Sequence, residues 1–476
     1  MKIHILYPKF SRIDKENNNT PFSGVPSTLF THRTIDRFPD HQYEIHPFET
    51  SVIPFEPGSK FLCLGEDWLE RLFGHRNLNK VRGYRLYYKG IPTMATYTHM
   101  DCWDTWGSGE DDDDDDKKGN DKDASPTKRS NYLFWAMQDF EKLLTPPRPH
   151  AKYIGRIAPK MQYIVDWINA IPTNSQISLD IENRQQDNIL DCIGLGRLIS
   201  ASSIEVLVVP FYRFNDRLAY STREITQFWC AMYKLLLRRD ITIVGQNLAF
   251  DLSILHHYYR LPLPDRVYDT MLFMHRHWPL ADKSLSHVIS YYTDAMENHK
   301  GDFCPNITQS NETQLFAYNG KDVYWTLEAA RRQQELAATM SPAFQQCIAD
   351  AMEAQRTTLL MTFTGMLVNK TKLEKRCSKL QIKAAALQRI CEKLTGIIGF
   401  NPASSKQCCD YFYKELGYEI ANYTESGAPQ MNEKAMYELQ LKQDNPLFPL
   451  VIAYRGTEKQ NSTLHFKPYI KHNAAL

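Results

Sequence analysis

ISLDIEN, residues 177–183, decides how this chain is read. Its apolar residues alternate with Ser178, Asp180 and Glu182, the period of a strand buried on one face. Asp180 and Glu182 stand two residues apart, so both side chains leave the same face of the sheet. Two acids held side by side repel one another unless a cation offsets their charge. Oxygen ligands of this kind suit magnesium or manganese. Taken alone, Asp-x-Glu fits an exposed strand edge equally well.

Two motifs further along supply more acids. GQNLAFD, residues 245–251, places Asp251 just inside a helix that leaves the strand-like ITIVGQ. Amides and macrodipole at a helix start favour a carboxylate there. Asn247 is expected to cap that helix, with substrate contact as the alternative. YNGKDVYW, residues 318–325, reads as part of a long helix, so Tyr318 and Asp322 share one face at i, i+4. Each motif alone has an ordinary structural reading: an N-terminal acid, a packed tyrosine, a solvated aspartate. In order, on strand, helix start and helix, the three are far more specific. Converging carboxylates can hold two divalent cations about 3.5–4 Å apart, the arrangement that clamps both oxygens of a phosphoryl transfer.

The chain has 476 residues, enough for two or three domains, and its 43% hydrophobic and 12% aromatic content supplies ample core. The net charge of +1 conceals an acidic run, since without residues 110–116 it would be +8. A mild positive surplus suits a nucleic-acid partner. The ten cysteines are dispersed, with Cys408-Cys409 the only close pair and no Cys-x-x-Cys to begin a zinc site, which argues for free thiols in a reducing compartment. The N-terminal stretch is too soon interrupted by charge to be a signal peptide, and no 18-residue apolar run predicts a membrane span. A cytoplasmic location and no membrane partner are the expectations.

Three segments are expected. Residues 1–150 open with strands over 2–7 and 60–64, the second leading into the helix of GEDWLERLFG, and read as a small α/β domain. Within it, 108–128 is like-charged and low in complexity, a disordered loop. The proline-rich LLTPPRPH, 143–150, marks a boundary. Residues 151–335 alternate strands and helices: three strands in quick succession as an antiparallel meander, a helix over 222–238, ITIVGQ, a helix from 248, and a long helix over 313–336. That order fits one mixed sheet with helices on its faces. Residues 336–476 are expected to be mostly helical, with long helices over 348–364 and 370–395.

The three acidic motifs together resemble the proofreading-type exonucleases with four acids and a tyrosine, whose fold is ribonuclease H-like. The resemblance covers roughly 176–335 and includes YDTM at 268–271 and KSLSHV at 283–288. It implies that Asp180, Glu182 and Asp322 bind a first metal, Mg2+ or Mn2+. Asp180 would also help bind a second, and Asp251 would act directly or through water. Tyr318 would orient the nucleophilic water in a 3′–5′ hydrolysis that releases nucleoside monophosphates. Asn183 departs from the threonine often found in that family.

TFTGMLVNKTKLEK (362–375), GFNPASSKQCCDYFYKELGY (399–418) and AYRGTEKQNST (453–463) resemble the thumb-side segment of family A DNA polymerases. The resemblance implies a grip on primer–template duplex, with Lys406, Arg455 and Lys459 meeting backbone phosphates. In that family the palm and fingers come after this segment, and the chain is expected to lack them. The expectation is a chain cut before the palm, or one half of a polymerase split over two polypeptides. FLCLGEDWLERLFG (61–74), VRGYRLYYKGIPTMATYTHMD (81–101) and FWAMQDFEKLL (134–144) are similar to uracil-DNA glycosylase-like domains that some phage polymerases carry. His99-Met100-Asp101 stands where that family has His-Pro-Ser, which implies a non-catalytic domain binding DNA or protein. The leading reading is therefore a proofreading exonuclease acting on a single-stranded 3′ end of DNA, in a host cytoplasm if phage-encoded. The alternatives are a ribonuclease D-like exoribonuclease and a DNA-holding or polymerase-tethering subunit with an idle site.

Overall fold

The computed structural model describes residues 2–10, 12–50, 56, 58–74, 76–103, 132–184, 188–213, 216–300, 312–365, 367–421, 423 and 429–464. The acidic run expected to be a disordered loop lies outside them. The chain divides into two compact units, Met1–Thr364 and Gly365–Leu476.

The first unit opens with a five-stranded sheet of β1 (Lys2–Tyr7), β2 (Gln42–Pro47), β3 (Lys60–Leu64), β4 (Leu86–Tyr88) and β5 (Ile91–Thr96). Their order is β2-β1-β3-β5-β4, parallel throughout except for β4 against β5. β1 and β3 are near-continuous runs of buried residues, as both faces of a parallel sheet require. The helix Tyr132–Leu144 packs on this sheet through Trp135, Ala136 and Phe140.

A six-stranded mixed sheet follows, from β6 (Lys152–Ile157), β7 (Gln176–Asn183), β8 (Leu190–Ser200) and β9 (Ser203–Pro210). A small ribbon of β10 (Tyr212–Arg213) and β11 (Arg217–Leu218) stands apart, before β12 (Thr242–Gly245) and β13 (Arg266–Asp269). The order is β13-β12-β7-β8-β9-β6. β7, β8 and β9 form the expected antiparallel meander, while β12, β13 and β6 join in parallel. This is the mixed α/β, ribonuclease H-like architecture.

The two faces of β7 explain its sequence. Ile177, Leu179 and Ile181 point into a core with Ile164, Trp167, Phe228 and Met232, drawn from helices Met161–Asn169 and Thr222–Leu236. Ser178, Asp180 and Glu182 point the other way, toward the 26-residue helix Glu312–Ala337. Ser178 Oγ donates to the Val323 carbonyl (2.8 Å), fixing strand to helix. The helix can approach so closely because of glycines on β8. A Cβ on Gly194 would lie against Asn319 and Val323, and one on Gly196 would lie 2.7 Å from a Val323 methyl. On the helix itself, Gly320 accommodates Tyr153 and Val208.

The expected boundary at 150 is bridged by buried charge. Arg82 Nη1 donates to both carboxylate oxygens of Asp139 (2.9 and 3.1 Å), and Arg82 Nη2 donates to Ser290 Oγ. Lys142 donates to the carbonyls of Gly83, Ser290 and Thr293, and Arg85 donates to Asp294 (2.6 Å). Nor does the first unit stop at 335. The helix Pro342–Thr364 packs on β13 and on the helix Thr270–His277. It begins several residues earlier than its apolar periodicity suggested.

The second unit is helical, as expected. Lys370–Thr395 packs against Leu447–Leu464 over a core that includes Cys391, Phe400, Phe412, Met436 and Phe448. Among the described residues every cysteine is free, and no helix is long and apolar enough to cross a membrane.

Candidate active site

β7 delivers Asp180 and Glu182 to the helix-facing side of the sheet, and the long helix delivers Asp322 opposite them. Carboxylate oxygens of these three residues lie within 4.8 Å of one another. Asp251 stands beside this trio. It is 4% exposed, at the start of helix Leu248–Tyr259, and its Oδ1 accepts from the backbone N–H of Ile181 (3.0 Å), midway between Asp180 and Glu182. The sheet and two helices thus collect all four acids from distant parts of the chain.

Electrostatically the cluster is under strain of charge. Burial raises the pKa of Asp180, with Asp322 adding to the effect. Burial raises Glu182 as well, reinforced by Asp180 and Asp322, and it raises Asp251 with Asp180 contributing. Asp322 goes the other way. Burial would raise it, but His299 and Lys300 hold it low. The His299 ring is in contact with Asp322 Oδ1, and Lys300 Nζ donates to Asp322 Oδ2 (2.8 Å). The same ammonium donates to the Tyr318 hydroxyl (2.7 Å). Burial raises Tyr318, and the Asp322 charge adds to it, so the phenol is neutral at ordinary pH.

The donor set is all oxygen and the cluster carries unbalanced negative charge, so these residues fit a hard divalent cation. Positive charge is what this cluster lacks: His299 and Lys300 hold Asp322 low, while the Lys300 charge only partly opposes the rise at Asp180 and Glu182.

Asn319 was not anticipated as part of the site. Its Nδ2 donates to Asp180 Oδ2 (2.8 Å), which fixes that carboxylate's orientation. Lying in the same YNGKD stretch, it was open to the same helical-face argument as Tyr318. His299 and Lys300 were missed for a different reason. They sit on a turn with no periodic signal, and only folding brings them against Asp322.

Two expected roles are corrected. Asn247 does not cap its helix: it has a left-handed backbone (φ 56°) and its side chain makes no cap bond. Asp269 of the YDTM stretch does that work, accepting from the N–H groups of Asn247 (3.0 Å) and Leu248 (2.8 Å) while also capping its own helix through Met271. In the second unit, Arg455 is an internal tie. It donates to the carbonyls of Pro402 (2.8 Å) and Met431 (2.6 Å), whereas Lys406 and Lys459 are exposed. His99, at the glycosylase-like stretch, is 1% exposed and its Nε2 lies 3.1 Å from the Tyr7 hydroxyl.

Residues 153–336 match a protein-family model described as 3′–5′ exonuclease. The match spans the mixed sheet, all four acids and Tyr318. No curated protein matches the chain. A solved structure, the POL domain of Pol1 from M. smegmatis in complex with DNA primer-template and dNTP, is similar with a TM-score of 0.45 and 14% identity. The similarity covers 65% of this chain and 49% of that one, so this chain spans about half its length. A likeness this distant says nothing of activity. The exonuclease match covers the mixed-sheet part of the first unit.

Proposed function

We propose that this chain is a metal-dependent 3′–5′ exonuclease acting on DNA, the proofreading part of a phage-type family A polymerase working in a host cytoplasm. The observation that carries the proposal is the convergence of Asp180, Glu182 and Asp322 within a segment matching the 3′–5′ exonuclease family.

In this reading Asp180, Glu182 and Asp322 hold one Mg2+ or Mn2+, and Asp180 with Asp251 holds a second. Bound cations would supply an activated water and stabilisation of the departing 3′ oxygen. The chain supplies positioning. Asn319 fixes Asp180, the Ile181 amide fixes Asp251, and the Tyr318 hydroxyl orients the attacking water. Lys300, bonded to both Tyr318 and Asp322, holds the phenol and carboxylate at a fixed separation.

The second unit would grip the primer–template duplex, with Lys406 and Lys459 on backbone phosphates. The N-terminal sheet would be a non-catalytic module for DNA or protein. Uracil excision by the full chain at appreciable turnover would overturn that assignment.

Asp180→Ala with Glu182→Ala should abolish release of mononucleotides from a single-stranded DNA 3′ end while circular dichroism stays unchanged. Hydrolysis that persists in the folded double variant sinks the proposal. Ribonuclease D-like specificity is the second enzymatic reading, and comparing DNA with RNA oligomers of one sequence decides it. A tethering subunit with an idle site would show no carboxylate-dependent Mn2+ binding.

A further inference from the structure

A second set of metal-ligand side chains lies on the N-terminal sheet, unrelated to the acid cluster. β1 and β2 run parallel with His4 opposite Glu44 and Leu6 opposite His46. Alternation therefore places His4, Glu44 and His46 on one face. His4 Nδ1 and His46 Nε2 are 2.8 Å apart. One oxygen of Glu44 lies 3.6 Å from His4 Nδ1 and the other 3.7 Å from His46 Nε2.

The 2.8 Å contact is a hydrogen bond between the two imidazoles, which a cation seated between them would replace. At 3.6 and 3.7 Å the carboxylate is too far to hydrogen-bond either ring. Zinc binds imidazole nitrogen and carboxylate oxygen at about 2.0–2.2 Å, which puts neighbouring ligand atoms of a tetrahedron about 3.3–3.5 Å apart. The separations lie on either side of that edge, with the two rings facing different oxygens of Glu44, so an ion would part the rings slightly and draw in one carboxylate oxygen.

The surroundings agree. Both rings are buried, His4 at 0% and His46 at 6% exposure. Glu44 is 41% exposed, so water can reach a fourth position. Lys2 Nζ bonds both Glu44 (2.7 Å) and Glu56 (2.8 Å), which orients the ligand carboxylate and leaves the local charge net negative. A preformed hard-cation cage would be all oxygen; two imidazoles with one carboxylate suit a borderline ion.

The geometry points to a transition-metal site of His4, Glu44 and His46, taking Zn2+ or a cation of its class, that staples the edge strand β2 to β1.

The test uses the full chain carrying Asp180→Ala and Glu182→Ala, so that the acid cluster cannot contribute. Titration with Co2+ should give the visible absorption bands of a low-coordinate ion at one equivalent, bleached by Zn2+. Adding His46→Ala, or Glu44→Gln at its more exposed position, should abolish the bands, with circular dichroism unchanged. Zn2+ should also raise the melting temperature of the parent and not of these variants. Absence of the bands in the parent, or bands that survive both substitutions, overturns the assignment.

Discussion

Lys300 Nζ lies 2.8 Å from Asp322 Oδ2 and 2.7 Å from the Tyr318 hydroxyl, so one ammonium joins two side chains of a single helical face. Burial alone would lower the pKa of Lys300, but Asp322 and Tyr318 outweigh it and raise it, so the group stays charged.

If Asp322 holds a metal as proposed, a fixed cation beside its carboxylate competes with the ion. Lys300→Met should tighten Mn2+ binding by about 1 kcal/mol, roughly fivefold, in calorimetry. Affinity unchanged or weaker would show that Lys300 assists the ion instead of opposing it.

Gly194 sits opposite Asp180 in the β7–β8 register, and a Cβ there would press on Asn319, the partner of Asp180. Gly194→Ala should cost about 1–3 kcal/mol through overpacking and displace Asn319. The measurements are denaturant unfolding together with hydrolysis rate. A variant equal to the parent in both would show that the helix can shift without disturbing the site.

Arg82 and Asp139, each about 3% exposed by side chain, form a buried pair between the N-terminal sheet and the segment around Ser290. Asp139→Ala leaves the guanidinium buried without its carboxylate and should destabilise the first unit by about 3–5 kcal/mol. Chemical denaturation followed by tryptophan fluorescence reads this directly, and a loss below 1 kcal/mol would contradict it.

Glu328 is fully buried beside Arg331 and Arg332. Burial would raise its pKa, but His150, Arg331 and Arg332 bring it down to about 2 from 4.5. A depressed folded-state pKa stabilises the fold above the unfolded value and loses that contribution as pH falls through the folded one. The stabilisation should therefore be whole above about pH 4.5 and fade toward pH 2, an effect on the order of 2–3 kcal/mol. Melting temperature against pH should be flatter over that window for Glu328→Gln; an unchanged acid limb would rule the group out.

Lys406 and Lys459 are exposed, whereas Arg455 is spent on carbonyls of its own unit. Replacing both lysines by alanine should lower the salt slope of duplex binding by about two, at roughly 0.9 per phosphate contact. Arg455→Met should instead lower the melting temperature. The reverse pattern would mean that the arginine faces the DNA.

Much of this molecule is legible in its residues. The alternation of ISLDIEN gives a strand with one acidic and one apolar face, and the spacing of Tyr318 and Asp322 gives one helical face, because both follow from local periodicity. The meander and the long helices follow from the same patterns, whereas the convergence of Asp180, Glu182 and Asp322 was expected from the three motifs taken together and their family resemblance. Asn247 misled because capping was assigned from the nearest suitable side chain, while Asp269 reaches the same amides from the neighbouring strand end. Arg455 misled because a basic residue on a helix looks alike whether it faces solvent or its own core.

The sequence by itself determined which residues lie on each face of β7 and of the long helix, since side-chain direction repeats every 2 or 3.6 residues whatever the surroundings. Only the tertiary structure decided that Lys300 would meet Asp322, that Asn319 would hold Asp180, and that His4 would lie beside His46. Those pairings join segments whose separation along the chain carries no period, and close packing of sheet against helix, or of strand against strand, is what sets them a hydrogen bond apart.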